Sequence, residues 1–224
     1  MSDKTKAILE TFEKVDAIPR QSKKEERIRE WLSSWAAERG LEHRTDRAGN
    51  LIIDVPASEG FESAPTVVLQ GHMDMVCEKR PEVEHDFSTD PIKLVHDGDW
   101  LRADGTTLGA DNGIAIAIAL NVVEDPEVKH PPLELLFTVD EETGLTGALE
   151  LEENSLKGRT LINLDSEEDD TIIVGCAGGR NSLLRVPITR GPDEAQSVEL
   201  ELTVGGLTGG HSGVDIRRNL ANAN

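Results

Sequence analysis

Three apolar stretches of the chain end in side chains of the kinds that bind metal ions. These side chains are His72 and Asp74 after residues 66–70, Glu141 and Glu142 after residues 133–139, and Asp165 after residues 160–164. A further carboxylate, Asp111, stands at the start of an alanine-rich stretch. Ligands bind outside the carboxyl ends of strands in open α/β sheets, so we expect these side chains to meet in one crevice.

The donor set combines carboxylates with one imidazole and contains no cysteine thiolate. Such a set suits zinc, manganese or cobalt rather than a closed structural zinc site. Crowded carboxylates repel one another, and bound divalent cations neutralise them. One carboxylate has two oxygens and can bridge two ions about 3.5–4 Å apart, the spacing used in two-metal hydrolysis. The pattern therefore predicts a centre for two divalent metal ions.

Each of these residues also has a structural interpretation. Asp111 is placed to cap the following helix, and Glu141 with Glu142 is typical of a solvated turn. Asp165 precedes an acidic run that is typical of a solvated surface, and His72 with Asp74 can be read as a buried pair. The presence of all four segments together favours the metal-binding interpretation.

The hydrophobic pattern predicts the elements that position these residues. Strands are expected at residues 50–55, 66–70, 133–139 and 160–164. Helices are expected at residues 3–16, from a start at Ser22–Glu25 to a stop at Gly40, and at 113–123. The strand segments are nearly continuous in apolar character, which is typical of strands covered on both faces. Alternation of strands and helices predicts an α/β fold, a mixed and mostly parallel sheet with helices on both faces.

The start of the second helix carries a recognisable signal. The spacing of Ser22 and Glu25 is that of a capping box, in which the two side chains satisfy backbone N–H groups at the helix N-terminus. We therefore expect both side chains to serve this helix.

The hydrophobic pattern of the sequence changes near Gly178. Beyond it, apolar residues alternate with polar ones over 184–188 and 198–204, a period that indicates strands with one solvated face. We expect one domain at 1–178, which carries the metal-binding residues, and at 179–224 the beginning of a second domain that is incomplete.

Composition excludes several classes of partner. The net charge of −20 and the sequence pI of about 4.6 disfavour nucleic acid and anionic membranes. No apolar run approaches the roughly 20 residues that cross a bilayer, and the charged N-terminus does not resemble a signal segment. Two cysteines without a CxxC pair suit a reducing compartment. We expect a soluble cytoplasmic protein.

Four motifs in fixed order resemble the M20 metallopeptidases, and most of all the aminoacyl-histidine dipeptidase branch. They are His72-Met-Asp74, residues 106–113 around Asp111, Thr138-Val-Asp-Glu141-Glu142-Thr-Gly, and Asp165-Ser-Glu-Glu followed by residues 175–179. This resemblance covers nearly the whole chain. It implies that residues 1–178 form a zinc-peptidase-like catalytic domain and that 179–224 begin an α+β lid or dimerisation domain.

The resemblance also implies a role for each residue. His72, Asp111 and Asp165 would hold one ion, Zn²⁺ before Mn²⁺ or Co²⁺. Asp111 would bridge to a second ion that Glu142 also binds. Asp74 would orient His72, and Glu141 would be the general base. A cis peptide bond is implied between Asp111 and Asn112.

The implied substrate is a dipeptide of the Xaa-His type or of broader type, and the implied assembly is a homodimer formed through the lid domain. His211 would reach the partner subunit's active site and stabilise the oxyanion, although its glycine-rich segment is also typical of a plain loop.

One ligand of the family pattern, a last histidine for the second ion, has no match in residues 1–224, so we expect these residues alone to have impaired or no activity. The alternatives are a related acyl-amino-acid amidohydrolase and a non-catalytic acidic metal-binding module.

Overall fold

The computed structural model describes residues 2–166, 170–175, 183, 185–189, 191, 200, 201, 203 and 206. The chain divides into two compact units, Met1–Glu167 and Glu168–Asn224. The domain boundary expected after residue 178 stays a prediction. The strands expected in the second domain lie partly outside the described residues, and 185–189, which are described, are not in a strand.

The helices and strands of the described residues all lie in the first unit. The helices are α1 (Asp3–Asp16), α2 (Glu26–Glu38), α3 (Ala110–Glu124) and α4 (Thr146–Leu149). The strands are β1 (Glu42–Thr45), β2 (Leu51–Val55), β3 (Val67–His72), β4 (Leu94–Asp97), β5 (Trp100–Ala103), β6 (Leu133–Thr138) and β7 (Thr160–Asn163). All four predicted strands and all three predicted helices are present, whereas β1 and the β4–β5 hairpin were not expected.

Five strands form the central sheet in the order β1-β2-β6-β3-β7. β3 pairs in parallel with both β6 and β7, while β2 is antiparallel to β6 and to β1. His72 at the end of β3 lies opposite Thr138 at the end of β6. The mixed sheet with helices beside it confirms the expected fold class, and it brings the carboxyl ends of three strands to one edge.

The two faces of the sheet are covered differently. Leu51, Ile53, Leu135 and Phe137 are fully buried against residues of α1, α2 and α3. Neighbouring residues on a strand point to opposite faces, and Ile52, Val68 and Leu136 pack instead against Leu151 and Leu156. These two leucines lie in the irregular segment that follows α4, so this segment contributes to the cover of the second face.

A buried carboxylate attaches that irregular segment to the sheet. Glu134 on β6 has no exposed surface, and it accepts hydrogen bonds from the backbone N–H groups of Lys157 at 2.9 Å and Gly158 at 2.8 Å. Arg44 on β1 also donates to Glu134 and to the carbonyl of Ser155. These contacts fix the approach to β7, and therefore to Asp165.

The predicted capping box is not formed. Glu25 is the N-cap of α2 and its side chain makes no capping hydrogen bond there. The hydroxyl of Ser22 donates instead to Asp74, and the carboxylate of Glu25 accepts from the backbone of Lys23 and Asp140. Distant partners therefore outweigh the local helix signal at both positions.

None of the helices in the described ranges has the length and apolar character needed to cross a membrane.

Candidate metal centre

The imidazole of His72 lies at the centre of the predicted donor set. It is at the carboxyl end of β3 and is only 1% exposed. Its Nε2 atom lies 3.0 Å from Asp111 Oδ1, 3.7 Å from Asp165 Oδ2 and 4.0 Å from Glu141 Oε2. Four separate segments of the chain thus meet at one nitrogen, in agreement with the convergence that the sequence predicts.

The start of α3 carries Asp111 to this point. Gly109 precedes the helix with a φ of +78°, a value that favours glycine, and Asp111 and Asn112 depart from helical backbone angles. The peptide bond between Asp111 and Asn112 is cis, as the resemblance implied. The irregular first turn therefore presents the Asp111 carboxylate toward His72 Nε2.

Asn112, which the sequence analysis named only for its cis peptide bond, joins three of the contributing segments. Its Oδ1 accepts the backbone N–H of His72 at 3.1 Å, and its Nδ2 donates to the carbonyl of Leu164 at 3.3 Å. Gly71 makes room for this side chain, because a Cβ atom there would lie 2.5 Å from Asn112 Oδ1. One amide thus sets the spacing between β3, α3 and the segment that leads to Asp165.

Arg20, also missed from the sequence, is 1% exposed and clamps the neighbouring backbone. Its Nη1 donates to the carbonyls of Met73 and Asp74, and its Nη2 donates to Asp16 Oδ1 and to the carbonyl of Gly109. The only sequence signal was a cation next to Pro19, which carries no motif. The guanidinium links the end of α1 to the two segments that hold His72 and Asp111.

Asp74 is fully buried behind His72. Its Oδ1 lies 3.3 Å from His72 Nδ1, and the carbonyl of Asp74 lies closer to the same nitrogen, at 3.0 Å. The Asp74 carboxylate also accepts the backbone N–H groups of Glu141 at 3.0 Å and Glu142 at 3.2 Å, and the hydroxyl of Ser22 at 2.7 Å. It therefore contacts both the imidazole and the acidic pair after β6.

The electrostatics of the site favour a cation. Burial by itself lowers the pKa of His72, but hydrogen bonds with Asp111 and Asp74 and the charge of Asp165 raise it to about 10. Burial acts to raise the pKa of Asp74, yet hydrogen bonds from His72, the Glu141 backbone and Ser22 lower it to about 2. Burial and the surrounding carboxylates raise the pKa values of Glu141 and Glu142.

The donors fall into two groups whose ligand atoms are close enough for an ion. One group is His72, Asp111 and Asp165, and the other is His72, Glu141 and Glu142. Nδ1 faces Asp74, and an ion that replaced the proton on Nε2 would give the usual arrangement of a metal-binding histidine. The residues therefore fit a divalent ion.

The outcome differs among the predicted residues. The structure brings together His72, Asp74, Asp111, Glu141, Glu142 and Asp165, and His211 lies outside the described residues. The presence of Glu141 in a ligand group was not expected, since the sequence analysis assigned that residue to proton transfer.

Comparison with known proteins agrees with this geometry. Residues 68–207 match the model of peptidase family M20/M25/M40. The chain is 46% identical over 213 residues to the cytosol non-specific dipeptidase of Escherichia coli, covering 95% of this chain and 44% of that protein.

Solved structures give the same result. Aminoacylhistidine dipeptidase from Vibrio alginolyticus matches with a TM-score of 0.71 and 47% identity, over 73% of this chain and 33% of that one. A tripeptidase from Staphylococcus aureus matches with a TM-score of 0.62 and 25% identity, over 73% and 44% of the two chains. The 224 residues thus span less than half the length of these relatives.

Proposed function

The chain belongs to peptidase family M20/M25/M40, and we propose that it forms the metal-binding part of a metal-dependent dipeptidase. The relatives named above as dipeptidases support this assignment, since they are 46% and 47% identical to the chain. The name of the Escherichia coli relative also supports a cytoplasmic location.

The observation that carries the proposal is the meeting of carboxylates around a single buried imidazole. Asp111, Asp165 and Glu141 all approach His72 Nε2 within 4.0 Å, although they come from three different segments. A fold that needed these residues only for stability would leave such a concentration of negative charge uncompensated.

We assign the ligands from the family resemblance, and the first of the two sets also forms a group in the structure. His72, Asp111 and Asp165 hold one ion, and Asp111 together with Glu142 contributes to a second. Zn²⁺ is our first choice, with Mn²⁺ and Co²⁺ as alternatives, because the donors are nitrogen and oxygen without thiolate. When bound, such ions polarise a scissile carbonyl and lower the pKa of water.

Glu141 is our candidate for the general base. Its backbone is fixed by Asp74, and its Oε2 atom faces the same space as His72 Nε2, 4.0 Å away. In this role Glu141 accepts a proton from the attacking water and returns it to the leaving amine. Asp74 meanwhile holds the imidazole of His72 by its Nδ1 atom.

Specificity and assembly follow from the resemblance and remain proposals. The substrate is a dipeptide, of the Xaa-His type or of broader type. A homodimer formed through the second domain, with His211 acting across it, also stays a prediction.

A release assay tests the function. The protein as its gene encodes it is loaded with Zn²⁺ and given Ala-His, Ala-Leu and an N-acetylated amino acid, and the free amino acids are quantified. We expect hydrolysis of the dipeptides, loss of activity with a chelator and recovery with Zn²⁺. The same assay on residues 1–224 alone should give little or no turnover, because in our assignment only Asp111 and Glu142 bind the second ion.

The alternatives have distinct outcomes in this assay. Preferred cleavage of the N-acetylated amino acid would identify an acyl-amino-acid amidohydrolase. Zn²⁺ binding without hydrolysis of any of the three compounds would favour a non-catalytic metal-binding protein.

A further inference from the structure

The segment between α1 and α2 directs two side chains toward the metal centre. Ser22 Oγ donates to Asp74 Oδ2 at 2.7 Å, and Glu25 Oε1 accepts the backbone N–H of Asp140 at 2.9 Å. Glu25 is only 3% exposed. Neither side chain caps α2, so both are available for contacts with the other segments.

These contacts meet the turn that follows β6. Three successive backbone N–H groups in this turn point at carboxylates: that of Asp140 at Glu25, and those of Glu141 and Glu142 at the two oxygens of Asp74. Asp140 has a φ of +52°, so the chain direction changes sharply at this residue. The directions in which Glu141 and Glu142 leave the backbone depend on how these three N–H groups are held.

The turn also has internal hydrogen bonds. The buried carboxylate of Asp140 accepts the hydroxyls of Thr143 and Thr146. These bonds shape the turn but make no contact with β3. Pairing of β6 with β3 places the start of the turn, and Asp74 together with Glu25 holds the N–H groups beyond it.

Ser22 also determines how Asp74 divides its hydrogen bonds. Asp74 Oδ2 accepts from Ser22 and the Glu142 backbone, while Oδ1 faces His72 Nδ1 at 3.3 Å and the Glu141 backbone at 3.0 Å. A hydroxyl on Oδ2 keeps the carboxylate from rotating about its Cβ–Cγ bond. The position of Glu141 and Glu142 relative to the imidazole of His72 then stays fixed.

We propose that Ser22 and Glu25 are positioning residues, which hold the turn carrying Glu141 and Glu142 in register with His72. This inference rests on the proposed function for its meaning in catalysis. Contacts of this kind behind metal ligands typically affect metal affinity or activity by about 10–100-fold when they are removed.

The test uses paired variants in the protein as its gene encodes it. Ser22→Ala and Glu25→Ala remove the contacts, whereas Ser22→Thr keeps a hydroxyl and Glu25→Gln keeps an acceptor oxygen. Matched controls are Ser34→Ala and Glu26→Ala, exposed positions on α2 with the same chemical changes. The readouts are the Zn²⁺ affinity of the apoprotein, kcat and KM for Ala-His, and the thermal midpoint of unfolding.

We expect Ser22→Ala and Glu25→Ala to weaken Zn²⁺ binding and to lower kcat, each by about tenfold or more, with KM within about twofold. Ser22→Thr and Glu25→Gln should recover most of both losses, and the two controls should match the unmodified protein. If an alanine variant fails to fold, its conservative partner still has to show intermediate Zn²⁺ affinity at an unchanged thermal midpoint.

Two results would contradict the inference or the function separately. The positioning role would be overturned if Ser22→Ala and Glu25→Ala had the same Zn²⁺ affinity and kcat as the controls Ser34→Ala and Glu26→Ala. Absence of dipeptide hydrolysis in the unmodified protein would overturn the proposed function, while reduced Zn²⁺ affinity in Ser22→Ala would still support the positioning role.

Discussion

The carboxylate of Asp74 accepts the backbone N–H of Glu141 at 3.0 Å, although the two residues are 67 positions apart. The contact uses the main chain of Glu141 and leaves its side chain free to face the space beside His72. Changes to the Glu141 carboxylate therefore leave the backbone of the turn in place.

Replacement of the Glu141 carboxylate tests its role in proton transfer separately from metal binding. We predict that Glu141→Gln lowers kcat for Ala-His by about 10²–10⁴-fold, because an amide cannot accept the proton. Zn²⁺ stoichiometry, measured by elemental analysis after dialysis, should be unchanged. Glu142→Gln is the comparison, and it should lose part of the bound metal. A lower stoichiometry in Glu141→Gln would instead make Glu141 a ligand.

The close approach at Gly71 predicts sensitivity to a single methyl group. In Gly71→Ala, the new Cβ would lie 2.5 Å from Asn112 Oδ1 and 2.8 Å from the Cβ of Ala115, so α3 must move away from β3. We expect a loss of about 1–3 kcal/mol in the free energy of unfolding, as for other overpacked sites, together with weaker Zn²⁺ binding. Denaturant titration and metal competition measure the two effects. Gly191→Ala, where the added Cβ has no neighbour within 4 Å, should change neither.

The buried carboxylate of Glu134 predicts a large effect on stability. Glu134→Ala leaves the N–H groups of Lys157 and Gly158 without their acceptor, and each buried unsatisfied group costs about 1–3 kcal/mol. We expect a loss of about 2–5 kcal/mol in the free energy of unfolding and faster amide exchange at residues 157 and 158. Glu134→Gln retains one oxygen and should lose less. The exposed Glu153→Ala is the control, and an equal loss there would contradict the anchoring role.

The raised pKa of Asp16 predicts that part of the free energy of unfolding depends on pH. Burial raises its pKa to about 6 from 3.8, against the opposing effect of Arg20, and its Oδ2 has no hydrogen-bond partner among the described residues. The folded state holds the proton more tightly than the unfolded state between these pH values. The free energy of unfolding therefore falls as the pH rises through this window, by about 3 kcal/mol from this group.

Asp16→Asn removes this titration. Denaturant titrations of both proteins, at steps of about half a pH unit from about pH 3.5 to 7, give the free energy of unfolding as a function of pH. We expect the profile of Asp16→Asn to fall less steeply with rising pH than that of the unmodified chain. Parallel profiles would show that Asp16 has the same pKa in both states.

Sequence patterns identified the parts of the fold that depend on local signals. The apolar runs located β2, β3, β6 and β7. The polar residues that follow three of these strands located five of the side chains that meet at the site, and the start of α3 located the sixth, Asp111. β1 was missed because Glu42–Thr45 contains no apolar residue and becomes a strand only by pairing with β2. The position of β2 beside β6 is likewise a long-range pairing that no local pattern reveals.

The missed and misassigned residues share a physical cause. Ser22 and Glu25 have the spacing of a capping box, yet Ser22 donates to Asp74 and Glu25 accepts the backbone N–H of Asp140 as well as that of Lys23. Asp74 and Asp140 are far away in sequence. Arg20 has no motif at all, and its role depends on carbonyl groups that the fold brings together. Local rules fail where tertiary hydrogen bonds outweigh local ones, and here these places surround the candidate metal centre.

The guanidinium of Arg20 extends the metal centre beyond its own ligands. From the segment that follows α1 it donates to the carbonyls of Met73, Asp74 and Gly109. A deletion of the first twenty residues would retain every proposed ligand but remove the hydrogen bonds that link two of the ligand-bearing segments. Shortened expression fragments and internal start sites beyond this arginine should therefore yield protein with poor metal retention.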